Sequence, residues 1–339
     1  MKKKALLILV ACVLLCAVAI DFTYAQPAAG GGNTGRGGTR GGATRGGMMG
    51  GNMGGRGGFG RGQASPPGPP APVPPEVAIP RPTAEEVAKM NDDLQKFINT
   101  YSGSDKDILK KYASLITVQV PRDNPCIRPT TPRGGQHDSF VETAKNGDFD
   151  IMFLGDSITY LWTVGEGDMS GYLGGQRLFD KYFGDMKVAN FGIAGDTTQG
   201  VLGRLQNGEG QGHKPKAVML MLGTNNTGNA SGEEIAEGIG AVVYELRKDF
   251  PDAKIMLLAI FPRGSGPNDS NRKKCEIANK IIAKLDDGKH VFFTDINSKF
   301  LNPDGSLIGF RPNENLHPVE EGFDIWGAAV APTLKSWVK

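Results

Sequence analysis

The chain has 339 residues, of which 22% are charged, and its formal net charge is +2. Residues 1–75 hold eight Lys and Arg and one acidic residue, which leaves residues 76–339 with a formal net charge of −5. The acidic C-terminal part argues against nucleic acid as its substrate. Four cysteines occur without CxxC or Cys/His ligand spacing, which argues against a structural zinc site.

Residues 1–25 have the order of a secretory signal peptide. Three lysines precede a 16-residue apolar run, residues 5–20, and a small residue, Ala25, follows. The run is shorter than the roughly 20 residues that span a bilayer, which argues against an uncleaved anchor. It also continues past Cys12, which argues against lipoprotein processing there. We therefore expect cleavage after Ala25 and a secreted, periplasmic or cell-surface protein.

Residues 26–82 are predicted to form a disordered Gly/Arg-rich and then Pro-rich linker. Of the 33 residues from 30 to 62, 18 are glycine and five are arginine, so this segment cannot bury enough apolar surface to offset its ordering entropy. Nine of the 17 residues from 66 to 82 are proline, which favours a stiff, extended spacer. We favour a flexible tether over contact of the Arg/Gly-rich segment with a surface or a polyanion.

Residues 83–136 are predicted to form an N-terminal helical extension and a connector. Thr83 and Glu86 have the spacing of a capping box, and apolar residues recur at three- and four-residue intervals up to about Leu115. A proline-rich stretch, residues 121–132, follows. We therefore expect a helix that starts at Thr83, followed by an irregular connector.

Residues 137–339 alternate between short apolar runs and helical patterns. The apolar runs predict five buried strands, at residues 151–154, 188–191, 217–222, 255–260 and 291–294. The clearest helical patterns are at residues 233–249, 271–285 and 319–338. This alternation predicts a parallel sheet covered by helices on both faces. Because ligands bind at the carboxyl ends of the strands in such sheets, functional residues should directly follow strands.

Glycine and small polar residues follow the first three predicted strands. The segments are residues 155–159, 190–198 and 223–226, of which the second begins in the last two residues of its predicted strand. Ser157, in the first segment, would lie at a strand-to-helix turn that presents its hydroxyl and its backbone N–H. A Gly-Asp-Ser segment alone is equally consistent with an ordinary turn and a polar cap. Three such segments in succession favour a catalytic site.

His317 is the candidate base for Ser157, because a serine hydroxyl is a weak nucleophile near neutral pH. It alone follows the last predicted strand, at the opening of the last helix. The other histidines lie before the first strand, in a Gly-rich loop and at a strand start: His137, His213 and His290. Glu314, three residues earlier, can reach the imidazole N–H and fix its tautomer. The alternative is that Glu314 is a surface charge and His317 caps the helix.

Acyl transfer also requires hydrogen-bond donors directed at the developing oxyanion. The backbone N–H groups of Ser157 and Gly195 and the side-chain amide of Asn225 are suitably placed by their order along the chain. Gly195 suits this role because the missing Cβ allows the backbone to approach a substrate closely.

These residues resemble the four after which the SGNH (GDSL-like) hydrolases are named: Ser157, Gly195, Asn225 and His317. The chain is more similar still to the catalytic subunits of the platelet-activating-factor acetylhydrolase Ib group. That similarity covers roughly residues 137–338 and rests on ordered blocks at residues 153–157, 190–198, 223–226, 262–264 and 316–317. The family usually has Asp where this chain has Glu314, whose extra methylene changes its reach.

The resemblance implies a three-layer α/β/α sandwich with a central, mostly parallel, five-stranded sheet of the flavodoxin type. It also implies hydrolysis of short acyl, often acetyl, esters without a metal or organic cofactor. We therefore expect residues 137–339 to be an SGNH hydrolase domain that acts on a small-molecule or polysaccharide ester through an acyl-enzyme. For an exported enzyme, O-acetyl groups of carbohydrates are the expected target.

Three rival functions remain to be compared with an esterase of short acyl groups. A lysophospholipase or thioesterase would need a longer apolar acyl groove, and no long apolar loop stands out. A non-catalytic glycan-binding module is disfavoured by the intact Ser157, Asn225 and His317, and a flavin-binding protein by the acid beside Ser157. The sequence leaves open the oligomeric state and whether Cys126 and Cys275 form a disulfide.

Overall fold

The computed structural model describes residues 67–132, 134–165 and 174–339. The predicted signal peptide and the Gly/Arg-rich segment lie outside these residues. Within them, no helix has the length and apolar character needed to cross a membrane.

The centre of the fold is a sheet of five parallel strands. They are β1 (Ile151–Gly155), β2 (Val188–Gly192), β3 (Ala217–Met221), β4 (Lys254–Leu258) and β5 (Val291–Thr294). Their spatial order is β2-β1-β3-β4-β5, and every pair of neighbours is parallel. This is the order of the flavodoxin-like doubly wound fold, which confirms the predicted class. Observed and predicted strand ends differ by two residues at most.

Nine α-helices occur in the part of the chain that the structure describes. They are α1 (Ala84–Thr100), α2 (Lys106–Lys111), α3 (Gly135–Asn146), α4 (Ser157–Tyr160), α5 (Gln176–Phe183), α6 (Thr198–Arg204), α7 (Gly232–Asp249), α8 (Ser270–Ile282) and α9 (Glu320–Val338). The last three match the helices predicted from periodicity, with ends that differ by three residues at most.

The two faces of the sheet support two separate apolar cores, which gives three layers. Met152 and Leu154 of β1 pack with residues of α3, α6, α7 and α8. Ile151 and Phe153 point to the opposite face, where α5 and α9 pack. This alternation is what a strand imposes, because successive side chains point to opposite faces. Both cores hold the strand ends in place, and the strand ends carry the candidate site.

The N-terminal extension begins where the sequence predicts. Thr83 caps α1, and Thr83 and Glu86 form both hydrogen bonds of the capping box. The helix ends at Thr100, before the predicted limit near Leu115, because residues 102–104 are Ser-Gly-Ser and interrupt it. The apolar periodicity beyond this point belongs to α2 and a short 3₁₀ turn.

The proline-rich stretch is not a free spacer from residue 67 onward. The backbone N–H groups of Gly68 and Ala71 donate to the carbonyls of Pro129 and Ile127, each at 2.8 Å. Val77 is 4% exposed and lies against α7. Proline fixes an extended backbone in advance, so pairing with another extended segment costs little further entropy. The predicted linker boundary at residue 82 is therefore too late, since residues 67–82 pack on the domain.

Candidate active site

The turn that carries Ser157, the candidate nucleophile, follows β1 directly. Asp156 caps the four-residue helix α4, and its Oδ1 accepts a hydrogen bond from the Ile158 N–H at 3.0 Å. Ser157 is the first residue of this helix and is half-buried. A Cβ on Gly155 would lie 2.4 Å from the Met221 carbonyl oxygen, so glycine allows β1 and β3 to stay paired up to this turn. The turn thus holds Ser157 at the carboxyl edge of the sheet.

The structure brings the three predicted residues Ser157, His317 and Glu314 together. Ser157 Oγ lies 2.9 Å from His317 Nε2, and His317 Nδ1 lies 2.8 Å from Glu314 Oε1. A carboxylate at Nδ1 favours the tautomer with its proton on that atom, which leaves Nε2 free to accept the serine proton. The longer glutamate side chain therefore spans the distance to the imidazole in this chain.

The histidine lies on a loop that backbone hydrogen bonds close. The Arg311 N–H donates to the His317 carbonyl at 3.0 Å, and the Asn315 N–H donates to the Arg311 carbonyl at 2.8 Å. Asn315 has a positive φ of 50°, a conformation that asparagine tolerates better than most residues. The expectation that His317 opens the last helix is wrong by two residues, since the helix cap is Val319. The loop, not the helix, orients the imidazole.

The predicted oxyanion donors lie on the two loops that follow β2 and β3. Gly195 is exposed with a φ of 78°, and a Cβ built on it would meet nothing within 4 Å. Asn225 is half-buried, and its Nδ2 donates to the carbonyl of Asp196 at 2.8 Å. An asparagine amide carries two N–H groups, so the second can serve a substrate. One hydrogen bond thus joins the two donor loops.

Asp156 is a completely buried carboxyl group next to Ser157. Burial, reinforced by the nearby charge of Asp196, raises its pKa to about 7, although the Ile158 N–H and Arg263 act in the opposite direction. Its Oδ2 has no hydrogen-bond partner in the described part of the chain. Asp156 therefore shapes the turn and is a carboxyl group that titrates near neutral pH.

Sequence reasoning gave no role to Arg263, which supports the Asn225 turn. Its Nη1 donates to the Thr224 carbonyl at 2.9 Å and to the hydroxyls of Thr224 and Thr227 at 3.0 and 3.1 Å. The next N–H, that of Gly264, donates to the Asn315 carbonyl on the histidine loop at 2.9 Å. The signal that could have identified it is a charged residue in the segment that follows the carboxyl end of β4, five residues after Leu258.

Neither a metal centre nor a disulfide is found in the described residues. They contain no group of three or more His, Cys, Asp or Glu that could hold a metal ion. Cys126 and Cys275 are buried free thiols. Burial raises the pKa of the Cys126 thiol to about 11 and that of the Cys275 thiol to about 12, which keeps both protonated near neutral pH.

A hydroxyl, an imidazole and a carboxylate in this sequence of contacts, at the carboxyl edge of a doubly wound sheet, are the arrangement of the serine hydrolases. The model of the GDSL-like lipase/acylhydrolase family matches residues 153–325, about half of the chain. The chain belongs to this family, and it is an ester hydrolase. The SGNH resemblance of the sequence is thereby confirmed.

The chain is also similar to individual proteins over part of its length. The chain is 35% identical over 200 residues to the alpha2 subunit of platelet-activating factor acetylhydrolase IB of Gallus gallus, covering 59% of this chain and 79% of that protein. It is 36% identical over 188 residues to the Homo sapiens alpha2 subunit, covering 56% and 77%. A solved carbohydrate acetylesterase from Sinorhizobium meliloti superposes with a TM-score of 0.44 at 18% identity, covering 56% of this chain and 98% of that one.

Proposed function

We propose that the protein is an exported serine esterase that removes short acyl groups, chiefly acetyl, through a covalent acyl-enzyme. The observation that carries this proposal is the continuous contact from Ser157 through His317 to Glu314. Each contact falls within the roughly 2.6–3.2 Å at which a proton can be transferred or held.

In the first half of the reaction, Ser157 Oγ attacks the ester carbonyl while His317 Nε2 takes its proton. Glu314 stabilises the imidazolium that results. The negative charge on the former carbonyl oxygen is met by the N–H groups of Ser157 and Gly195 and by the Asn225 amide. Collapse of this intermediate expels the alcohol, which takes the proton from His317, and leaves the acyl group on Ser157.

In the second half, water attacks the acyl-enzyme carbonyl. His317 accepts the proton of the water, and the same three donors stabilise the second tetrahedral intermediate. The carboxylic acid departs as the proton returns to Ser157 Oγ. No step requires a metal ion, since the donors supply the charge stabilisation.

The preference for an acetyl group is supported by the relatives at 35% and 36% identity, which are named as acetylhydrolase subunits. The apolar N-terminal segment, residues 5–20, supports export. Outside the cell, O-acetylated polysaccharides offer this ester, and the Arg/Gly-rich residues 30–62 would tether the enzyme or contact an anionic surface. Carbohydrate O-acetyl groups are therefore the proposed natural substrate class.

A series of p-nitrophenyl esters tests the acyl preference. We expect kcat/KM to be highest for the acetyl ester and to be at least about tenfold lower for the octanoyl ester. One methylene group that a pocket does not accommodate costs about 1–3 kcal/mol. Acetate release from acetylated xylan, measured with Ser157→Ala as background, tests the carbohydrate. Highest activity on long acyl chains or acyl thioesters would instead establish the lysophospholipase or thioesterase alternative.

A further inference from the structure

The loop that carries Gly195 is connected to a buried chain of ionisable side chains. Arg204 Nε donates to Asp196 Oδ2 at 2.8 Å, and its Nη1 donates to Glu209 Oε2. Glu209 Oε1 lies 2.7 Å from His137 Nδ1. The side chains of Arg204, Glu209 and Asp196 are 4%, 0% and 10% exposed. These four residues, the Arg204 network, link the loop to the first turn of α3 away from solvent.

The local backbone is shaped to accommodate this network. α6 ends at Arg204, and the chain then bends at Gly208, whose φ is 123°. This bend brings the Glu209 carboxylate to the Arg204 guanidinium. Arg204 Nη2 donates to the carbonyl of Phe191 in β2 at 3.1 Å. A Cβ on Gly200 would lie 1.8 Å from Asp196 Oδ1, so glycine leaves the space that this carboxylate occupies. Arg204 thus joins the sheet, the loop and the bend.

Asp196 connects the Arg204 network to both proposed oxyanion donors. Its Oδ1 accepts the Thr197 N–H at 2.9 Å, and its carbonyl accepts the Asn225 amide at 2.8 Å. Asp196 also follows Gly195 directly, so a shift of the Asp196 backbone would displace Gly195 and its N–H. Arg204 therefore holds the side chain of Asp196, while the backbone of Asp196 holds Gly195 and Asn225.

Burial makes these contacts interdependent. A charge removed from water is tolerated only with its partners, and loss of one partner leaves the remaining charge unpaired. Removing the charge of Glu209 therefore changes how Arg204 holds Asp196, although Glu209 does not contact the donors. We propose that Asp196, Arg204 and Glu209 are positioning residues that keep the Gly195 N–H and the Asn225 amide directed at the oxyanion. This inference rests on the proposed function.

Two matched substitutions test the Arg204 network. Glu209→Gln removes the charge of a buried carboxylate that pairs with Arg204. Glu237→Gln does the same on α7, where the Glu237 side chain is 1% exposed and pairs with Arg81. We expect Glu209→Gln to lower kcat for p-nitrophenyl acetate by about tenfold with KM within about twofold, a part of the 10²–10³ that loss of one oxyanion donor costs. Glu237→Gln should lower the melting temperature without lowering kcat.

A double-mutant cycle separates positioning from general loss of structure. Asp196→Asn should lower kcat in the wild type and have at least about threefold less effect when Asn225 is already alanine, because groups that act through each other are not additive. If Glu209→Gln fails to fold, the Asp196→Asn cycle decides alone. Equal effects in both backgrounds, or a folded Glu209→Gln with unchanged kcat, would overturn the inference.

A measurement that does not depend on catalytic activity tests this inference separately from the proposed function. Amide hydrogen exchange of residues 192–199, followed by mass spectrometry, should be faster in Glu209→Gln than in the wild type and unchanged in Glu237→Gln. Exchange that is unchanged in Glu209→Gln would contradict the positioning role even in an active esterase. If the wild type is inactive on esters but shows the predicted exchange difference, the proposed esterase function is wrong, while the link between the Arg204 network and the loop that carries Gly195 is supported.

Discussion

Two arginine–carboxylate pairs lie on the loops that carry the proposed site, and they differ in burial. Arg204 and Asp196, the residue that follows Gly195, are 4% and 10% exposed and 2.8 Å apart. Arg311 and Glu314, on the histidine loop, are 30% and 31% exposed and 3.8 Å apart. A buried pair constrains geometry because breaking it strands a charge, whereas an exposed pair is screened and contributes at most about 1 kcal/mol.

The difference indicates where the site is rigid and where it can adjust. The donor side has to be correct before substrate arrives, since catalysis by preorganised donors requires no rearrangement during the reaction. The histidine side is held by backbone hydrogen bonds on a loop, which allows an acid of different length to occupy position 314. Substitutions on the two sides should therefore differ in how much activity they remove and in whether a similar residue restores it.

Asn225→Ala should have the largest effect among substitutions that spare Ser157 and His317. It removes a donor that acts in the transition state, so we expect kcat to fall by about 10²–10³ with KM little changed. Steady-state kinetics with p-nitrophenyl acetate measures both constants. A variant that raises only KM would mean that Asn225 binds substrate and does not stabilise the oxyanion.

Glu314→Gln should have the next largest effect. An amide can select the wrong imidazole tautomer, which costs about 10⁴ in an enzyme whose acid is buried. Because Glu314 is about a third exposed, we expect a smaller loss of about 10² in kcat. Glu314→Asp should retain activity within about tenfold if the loop adjusts. Near-full kcat/KM in Glu314→Gln would establish a Ser-His dyad supported by another group.

The substitution Asp156→Asn should change how the stability of the protein depends on pH, because the buried Asp156 carboxyl has a higher pKa in the folded state than in the unfolded chain. A pKa raised from an ordinary value near 4 to about 7 means that the folded state holds a proton that the unfolded state has lost. The contribution of Asp156 to the stability of the wild type should therefore fall as pH rises from about 4 to about 7 and stay constant above. Asparagine can still cap α4 without titrating.

The measurement is the melting temperature of Asp156→Asn minus that of the wild type, at pH 5 and pH 8. We expect this difference to increase by at least about 3 °C, which corresponds to about 1 kcal/mol for a domain of this size. Asp252→Asn, at an exposed position, is the control and should show no such increase. An Asp156→Asn difference that is the same at both pH values would mean that Asp156 is ionised throughout this range.

The fold and the residues of the candidate site could be predicted from the sequence because their signals are local. The buried strands appear as short apolar runs, and Ser157, Gly195 and Asn225 each follow such a run within a few residues. The flavodoxin-like order then brings the three strand ends to one edge. His317 could be chosen among four histidines by its place after the last strand.

The supporting groups were not accessible, because their partners are distant in sequence or depend on a bend. His137 and Glu209 are separated by 72 positions, and their contact requires the turn at Gly208, which no periodicity predicts. His137 was set aside since it precedes the first strand. The packing of residues 67–82 was missed for a similar reason, since composition reports the stiffness of a proline-rich segment and not the surface it pairs with.

Covalent labelling of Ser157 tests the central claim most directly. The protein would be treated with a fluorophosphonate, which reacts preferentially with a serine whose hydroxyl is activated by a base, and its intact mass and peptides would be measured. We predict one adduct on the peptide that contains Ser157, with loss of esterase activity in proportion to labelling, and at least about 10³-fold slower labelling in His317→Ala. Labelling at another residue, or unchanged labelling in His317→Ala, would contradict the assignment of Ser157 and His317 as nucleophile and base.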